Sequence, residues 1–412
     1  MELKQLETRG YYEPGFLHLR VNTDQELIDL NKFAADPATA NYFSTFLHEY
    51  IHFLQDITTT TGIANTIHYI DMIKEVNHEI INDGKPDFKV PFAFTNANNI
   101  QANKRLRNIY AGHMGAIDYI RYDSYEVLHQ VVKDKDSNEF YPEIYKVYYY
   151  NRSMARQSFD FGWLCLTEYV AHAVQNKLAP GTDHADVPYV VPELILEKEY
   201  PEFGKDTMMI VALCDACMMS YHPAQLFFKT IRQMKADQFR PKTTGEVYDF
   251  IYSKITFKSG TQNIKANQLF SQSIDLAFKQ LTDALKSDIF EPNLKWVKHL
   301  FTKAKNLRLE NPDFITMLVK APGLLSDQFY QVFARLGTPF FTNKKDSGGF
   351  VPPRNFDADG IQPYQLLVFK EIINVFHGKR DCGLYHFCKQ SAAKDITNEH
   401  CRTAPWNRRH AD

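Results

Sequence analysis

The segment from Phe43 to Ile57 constrains the fold more than any other part of the chain, because it places ligand-type polar side chains inside an apolar helical pattern. Asp36-Pro37 supplies an N-cap acid followed by proline, and Gly62 offers a place to stop, so we predict a helix over residues 37–58. The apolar residues recur at spacings of three and four, the period of a buried α-helix: Phe43, Leu47, Tyr50, Ile51, Leu54 and Ile57.

Two histidines and an acid lie on this predicted helix, in the sequence His48-Glu49-Tyr50-Ile51-His52. Histidines four residues apart share one helical face and can bind a single zinc ion. Buried histidines need polar partners, and a metal ion would satisfy both. Glu49 would then lie beside the open position of the metal, where it can take a proton from water. The pattern therefore predicts a zinc site with Glu49 as general base.

A catalytic zinc site needs a third protein ligand, and the sequence excludes two sources for it. Gln55 and Thr58 occupy the positions where a metzincin has glycine and histidine. The first cysteine of the chain is Cys165, so no upstream cysteine is present for a deformylase-type site. The remaining large class takes a glutamate from a later helix.

Glu168 is the preferred third ligand, because it stands inside the apolar segment 161–173, where a carboxylate requires a partner. The two segments together resemble the His-Glu-x-x-His metallopeptidases of the gluzincin type. The resemblance is limited to these two stretches. It implies a zincin-like domain that hydrolyses a peptide bond, with Zn²⁺ held by His48, His52 and Glu168. It also implies that His172 orients a ligand or stabilises the oxyanion.

Other residues stay open for both of these roles. Asp71 and Glu75 follow His52 by nineteen and twenty-three residues, on a predicted helix over 63–81, and compete with Glu168 as third ligand. Sites of this kind also use a tyrosine or histidine to stabilise the oxyanion. The candidates are Tyr148, Tyr149, Tyr150, Tyr169 and His172.

Composition limits the class of protein and its partners. The chain has 412 residues, of which 44% are apolar and 23% charged, the balance of a folded protein with more than one ordinary core. A net charge of −2 provides no field for nucleic acid or an anionic membrane. Without a signal-like or membrane-spanning apolar run, we expect a cytoplasmic protein. That location favours a restricted protein or peptide target, a regulatory or toxin-like role, and an activating or inhibiting protein partner.

The pattern of elements predicts an α+β, predominantly helical fold. Strand-like patterns occur at 14–22, at 87–95 and in two runs around 125–150 that form a hairpin. Helical patterns after Glu168 cover 206–220, 222–236, 244–256, 262–287, 293–308, 311–319, 325–335 and 362–377. We predict a zincin-like domain with small strand and hairpin elements at 1–190, a helical domain at 191–378, and a Cys/His-containing tail at 379–412.

The six cysteines fall into two groups. Three lie in apolar helical patterns and are expected to pack as small hydrophobic side chains: Cys165, Cys214 and Cys217. The others crowd into the tail: Cys382, Cys388 and Cys401, with His386 or His400 nearby. This set resembles a Cys₃His structural zinc site, while an iron–sulfur cluster and free thiols remain alternatives.

Two alternatives to a peptidase follow from the sequence. One is a non-enzymatic helical regulatory or scaffold protein, whose tail binds metal and whose His-Glu-x-x-His pattern is incidental. The other is a zinc hydrolase acting on a non-peptide amide. The substitution Glu49→Gln separates the first alternative from an enzyme, because it removes a general base without removing a metal ligand.

Overall fold

The computed structural model describes residues 9–24, 40–82, 99–180, 184–254, 256–259, 261–368 and 370. Within these ranges the chain is predominantly helical with small sheets, which confirms the predicted α+β class at that level. The predicted helix start at Asp36-Pro37, the predicted strand at 87–95 and the tail at 379–412 lie outside the described residues. No helix in the described ranges is both long enough and apolar enough to cross a membrane.

The helices follow one another along most of the chain. They are α1 (Ala40–Thr58), α2 (Thr60–Asn82), α3 (Ile100–Ala111), α4 (Trp163–Leu178), α5 (Asp186–Tyr189), α6 (Val191–Glu199), α7 (Thr207–Cys217), α8 (Pro223–Ala236), α9 (Thr244–Lys254), α10 (Ala266–Ala284), α11 (Glu291–Glu310) and α12 (Asp327–Leu336). The predicted helices between residues 206 and 308 are thereby confirmed within a few residues of their bounds. The predicted helix at 311–319 is a short 3-10 turn, Phe314–Met317, instead.

Helix α1 lies at the centre of the molecule. It packs against α2, α4, α11 and the strand His18–Val21. From Phe43 to Thr58 every side chain of α1 except that of His52 is buried. A helix buried on all faces can carry polar side chains only where other groups satisfy them. The polar residues of α1 are therefore informative about partners and ligands.

Helix α1 ends at Thr58, where the predicted helix over residues 37–58 also ends. The expectation that Gly62 ends the first helix is wrong, because α1 ends at Thr58 and Gly62 lies in the first turn of α2. A Cβ atom at Gly62 would stand 2.2 Å from the backbone oxygen of Asp56. Glycine is thus required for the close approach of the two helices, not for a helix stop.

The strands form small sheets. They are β1 (Gly10–Glu13), β2 (His18–Val21), β3 (Arg121–His129), β4 (Val132–Lys133), β5 (Glu139–Phe140), β6 (Glu143–Tyr150), β7 (Arg156–Phe161), β8 (Thr256–Ser259), β9 (Gln262–Lys265), β10 (Val319–Ala321), β11 (Leu324–Leu325), β12 (Phe340–Thr342) and β13 (Gly348–Gly349). The order β1-β2-β12-β13 joins distant parts of the chain, with β12 parallel to β2. The strand pattern at 14–22 corresponds to β2.

A second sheet, in the order β3-β6-β7, leads the chain into α4. Strands β3 and β6 form the predicted hairpin, whose tip carries the short pair β4 and β5. Between β7 and α4, a Cβ atom at Gly162 would lie 2.2 Å from the backbone of Ala111 at the end of α3. This close approach fixes where α4 begins and directs it against α1.

The buried hydrophobic residues form one large cluster that contains residues from both sides of the predicted boundary at 190/191. A fully buried ion pair lies within it, where Arg308 of α11 contacts Asp215 of α7 at 2.5 Å. The same guanidinium donates to the backbone oxygen of Thr58 at 2.9 Å and so caps the end of α1. The domain boundaries at 190/191 and 378/379 stay predictions.

Candidate metal centre

Helices α1 and α4 bring three ligand-type side chains together. His48 and His52 lie one turn apart on α1, and Glu168 faces them from α4. Oε2 of Glu168 lies 3.2 Å from Nε2 of His48 and 3.3 Å from Nε2 of His52. The two Nε2 atoms are themselves 3.2 Å apart. Within the described residues these three form the group whose ligand atoms are close enough to share one metal ion.

Two glutamines fix the orientation of the histidine rings. Nδ1 of His48 donates to Oε1 of Gln175 at 3.1 Å, and Nδ1 of His52 donates to Oε1 of Gln55 at 2.9 Å. Gln55 in turn donates to the backbone oxygen of Thr167 at 3.2 Å. A hydrogen at Nδ1 leaves the lone pair at Nε2 free, and Nε2 is the atom that points to the other histidine and to Glu168.

The arrangement fits a bound cation. With both Nδ1 atoms protonated, two nitrogen lone pairs and one carboxylate oxygen converge on the same point, and they repel one another unless a proton or a metal ion lies between them. Two imidazoles with one carboxylate are a donor set that suits zinc. The second ring nitrogens are held by hydrogen-bond acceptors, as is usual for metal-ligating histidines.

The pKa shifts of His52 and Glu168 also indicate a place that favours positive charge. Burial alone would lower the pKa of His52, but the Glu168 carboxylate overcomes it and raises the pKa to about 9. Burial would raise the pKa of Glu168, but the nearby His52 and His48 hold it well below the usual range. Glu168 is thus an anion, and its negative charge favours a positive charge at this place, which a proton on His52 or a metal ion can supply.

Glu49 lies beside the three ligands and is 6% exposed. Burial raises the pKa of its carboxyl group, although His48 and His52 oppose the shift, and the backbone N–H of Tyr12 donates a hydrogen bond to it. A raised pKa favours uptake of a proton at neutral pH, which suits a general base. Strand β1, which contains Tyr12, therefore forms one wall of the site.

A cleft of about 390 Å³ opens over the candidate metal centre. It is lined by the three ligands and Glu49, and by residues of β1, α1, α2, α3, α4 and α5, among them Tyr12, Gln55, Asp56, Asn65, Arg107 and Tyr189. A neighbouring cavity of about 400 Å³ shares Thr61, Asn65, Arg107 and Trp163 with it. The two cavities therefore adjoin along α2 and α3, and together they are called the groove below.

Tyr189 is a candidate that the sequence patterns did not indicate. Its ring centroid lies 6.1 Å from that of His48, and its side chain lines the cleft. Burial, together with the charges of Glu168 and Glu49, raises the pKa of its hydroxyl group. The group therefore stays protonated and can donate a hydrogen bond.

His172 lies near the centre but outside the set of hydrogen bonds that orients the ligands. Its ring contacts those of His184 and Tyr189, at centroid distances of 4.7 and 5.8 Å. Burial lowers its pKa to about 4, so it is a neutral imidazole. Its Nδ1 atom has no hydrogen-bond partner among the described groups. The predicted orienting or oxyanion role of His172 stays a prediction.

The four other tyrosines considered from the sequence lie away from the cleft within the described structure. Tyr148 donates to Glu126 at 2.8 Å, and Tyr169 donates to Glu193 at 3.4 Å. Tyr149 packs against Phe159, and the guanidinium of Arg121 lies over the ring of Tyr150.

The alternative third ligands do not join the group within the described residues. Asp71 lines the neighbouring cavity, and Glu75 is buried elsewhere on α2. Cys165, Cys214 and Cys217 are free and fully buried, as expected for packing residues, and burial raises the pKa of each thiol. The candidate tail ligands Cys382, His386, Cys388, His400 and Cys401 lie outside the described residues.

Comparison with family models, with curated proteins and with solved structures found no match to this chain.

Proposed function

We propose that this protein is a zinc-dependent peptidase with a zincin-like catalytic domain, in which His48, His52 and Glu168 hold the metal ion. The observation that supports the proposal is the convergence of two Nε2 atoms and one carboxylate oxygen beside Glu49 in a cleft. A bound zinc ion would supply Lewis acidity, which acidifies a coordinated water and polarises the substrate carbonyl group.

Glu49 accepts the proton of the attacking water and delivers it to the nitrogen of the leaving amine. Its raised pKa favours this transfer, and the hydrogen bond from Tyr12 holds the carboxylate in place. Tyr189 donates a hydrogen bond toward the oxyanion that develops on the carbonyl oxygen. Gln55 and Gln175 keep the two histidine rings oriented throughout the cycle.

The target is a peptide or a flexible segment of a protein. The two adjoining cavities provide space for several substrate residues on one side of the candidate metal centre. Strand β1 forms a wall of the cleft along which an extended chain can lie. A restricted target and control by a partner protein belong to this proposal as expectations.

The proposal is tested by zinc content and by cleavage, measured on the same preparations. Elemental analysis compares wild type with the double variant His48→Ala/His52→Ala, which should lose one zinc per chain. Mass spectrometry of a mixed peptide library then compares wild type with Glu49→Gln. We expect the Glu49 variant to keep its zinc and to lose about 10²- to 10⁴-fold in cleavage rate.

Two results would contradict the proposal. If the double variant keeps the zinc content of wild type, the three residues do not form a metal site. If the wild type holds zinc there but cleaves no peptide of the library, the chain is not a peptidase of this kind. In that case the scaffold alternative, or hydrolysis of a non-peptide amide, takes its place.

A further inference from the structure

Asp56 lies on the same face of α1 as the two histidine ligands. It follows His52 by four residues, as His52 follows His48, and its side chain lines the cleft. Along a helix this spacing corresponds to about 6 Å per step. Asp56 therefore stands one turn beyond the candidate metal centre, in the direction in which the groove continues along α2.

One oxygen of Asp56 is held in place and the other is not. Oδ2 accepts a hydrogen bond from the Tyr12 hydroxyl at 2.8 Å and from the backbone N–H of Gly15 at 3.0 Å. Oδ1 has no partner among the described groups, although Asp56 is 4% exposed. A buried carboxylate oxygen without a donor is costly, and natural proteins keep such groups mainly where a ligand completes them.

The charged groups around Asp56 do not fill this gap. The guanidinium of Arg107 also lines the cleft and acts on Asp56 at a distance, but it donates to Asn65 at 2.7 Å and to the Tyr69 hydroxyl at 3.3 Å. His52 is a cation only in the metal-free site, since a metal-bound imidazole is neutral. With metal in place, no cation of the described residues is bonded to Asp56.

We propose that Asp56 is a specificity-determining residue that binds a cationic group of the substrate, either the ammonium or guanidinium of a basic side chain or a free N-terminal ammonium. The inference rests on the proposed function and names the substrate class. A carboxylate fixed by two donors presents a rigid acceptor to such a group. Because Asp56 stands one helical turn beyond His52, the basic group would lie within a few residues of the scissile bond.

Cleavage of matched peptides tests this assignment. One cleaved sequence is synthesised with lysine, norleucine or glutamate at each position in turn, and kcat/KM is measured for wild type and Asp56→Asn. The amide keeps an acceptor for Tyr12 and Gly15, while it removes the charge. We expect the preference for lysine, taken as the ratio of kcat/KM for the lysine peptide to kcat/KM for the norleucine peptide, to fall about 10- to 100-fold in the variant.

Asp71→Asn is the matched control. Asp71 is an acid that lines the neighbouring cavity, so its substitution also removes one acidic group from the groove. The control should leave the preference for lysine unchanged. If Asp56→Asn and Asp71→Asn lower the preference for lysine equally, the overall negative potential of the groove selects basic peptides. The assignment to Asp56 then fails.

Chemical blocking distinguishes the two sources of the cation. If acetylation of the lysine side chain abolishes the preference, Asp56 binds a basic side chain. If acetylation of the peptide N-terminus abolishes it, Asp56 binds the terminal ammonium. An Asp56 variant that holds full zinc and shows the wild-type profile for all of these peptides overturns the proposal.

Binding measured without cleavage separates this inference from the proposed function. Fluorescence anisotropy compares the affinity of zinc-loaded Glu49→Gln, with and without Asp56→Asn, for labelled lysine and norleucine peptides. We expect Asp56→Asn to weaken binding of the lysine peptide alone by about tenfold or more. If lysine and norleucine peptides bind the two proteins equally, the inference fails. If Asp56→Asn weakens binding of the lysine peptide but the wild type cleaves no peptide, the proposed peptidase function is refuted. The proposed cation-binding site at Asp56 then still holds.

Discussion

At the scale of single residues, Gln55 and Gln175 set the tautomer and the ring orientation of His52 and His48. Gln55 and Gln175 each accept a hydrogen bond from an Nδ1 atom, so each imidazole presents the Nε2 lone pair to Glu168. Loss of such a partner lets the ring turn and lets the other tautomer form. The orientation of the two candidate ligands therefore depends on residues that would not themselves contact a bound ion.

We expect Gln175→Met to weaken zinc binding by about 10- to 100-fold, because the hydrogen bond that orients His48 is lost while all three ligands remain. Competition with a chromogenic chelator measures the affinity. Gln157→Met, an exposed position on β7, is the control and should bind zinc as wild type does. Equal affinities in the Gln175 variant and the control would show that the hydrogen bond does not matter.

The second residue-scale prediction concerns the pH dependence of stability. Burial raises the pKa of Asp56 to about 7, although hydrogen bonds from Gly15 and Tyr12 oppose the shift. The unfolded chain has a pKa near 3.9 at this residue, so between these values the folded protein binds more protons. The free energy of unfolding attributable to Asp56 therefore falls as pH rises through this window, by at most about 4 kcal/mol.

Asp56→Asn removes this effect. We expect the variant to gain stability relative to wild type on going from about pH 5 to about pH 8. Thermal unfolding of both proteins with chelator present measures the difference, and other titrating groups cancel in the comparison. A difference in Tm that is the same at both pH values would contradict the raised pKa.

The sequence singled out the three candidate ligands that lie together in the structure, but not the residues that form hydrogen bonds with them. The spacing of four residues indicated His48 and His52, and the position of an acid within an apolar helix indicated Glu168. Gln175 stands seven residues after Glu168, on the same helical face. The sequence therefore contained a pattern that could have indicated Gln175 as a partner of the candidate ligands. Tyr189 carried no signal, because tertiary contacts alone bring α5 to the cleft. One such contact is the bridge between Val187 and Ile117.

At the scale of elements, the junction of α1 and α2 positions Asp56. A Cβ atom at Gly62 would collide with three backbone atoms of Asp56, at 2.2 to 2.5 Å. Backbone cannot move aside as a flexible side chain can. The first turn of α2 thus sets where α1 ends and where its last acidic residue stands.

We expect Gly62→Ala to destabilise the fold by about 1–3 kcal/mol, because the added methyl group forces the two helices apart. Chemical denaturation of the metal-free protein measures the loss. Gly349→Ala is the matched control, since a Cβ atom there meets nothing within 4 Å. Equal stability of the two variants would mean that the helices separate without cost.

The buried pair of Arg308 and Asp215 holds α11 and α7 to the end of α1. We expect Asp215→Asn to cost about 3–5 kcal/mol, because Arg308 is left as an uncompensated charge in the core. The exposed pair of Glu310, at the end of the same helix α11, and Arg335 of α12 supplies the control. Glu310→Gln should leave Tm unchanged, and a similar loss in both variants would contradict the argument.

Helix periodicity predicted the helices well and the short strands poorly. The amphipathic patterns of α8 and α11 specify a helix locally. Strands such as β12 and β13 are two or three residues long, and their pairing depends on partners far away in sequence. The predicted end of α1 at residue 58 agrees with the structure, but the role expected for Gly62 was wrong, because this glycine allows a close contact between helices and does not stop α1.

At the scale of the whole molecule, the two ends of the described chain meet beside α1. Strand β12 pairs in parallel with β2, and the Tyr50 hydroxyl of α1 donates to the backbone oxygen of Gly337 at 2.9 Å. The ring of Tyr50 also packs against Phe329 and Phe333 of α12. Residues beyond 320 therefore cover one side of the helix that carries the histidines.

We expect a fragment of residues 1–190 not to fold by itself, because it lacks β12 and the residues of α12 that cover Tyr50. Circular dichroism with thermal melting compares the fragment with the full chain, and a cooperative transition in the fragment would contradict the expectation. No local pattern foretold the pairing of β2 with β12, since sequence periodicity carries no information on distant partners.

The parallel pairing of β2 with β12 also has a consequence for biosynthesis. Strand β2 leaves the ribosome long before its partner, because more than three hundred residues separate the two strands. During translation, one side of helix α1 stays uncovered until the residues up to 342 have left the ribosome. Under the proposed function, a chain whose synthesis has not passed residue 342 would therefore lack part of the structure that supports the candidate metal centre.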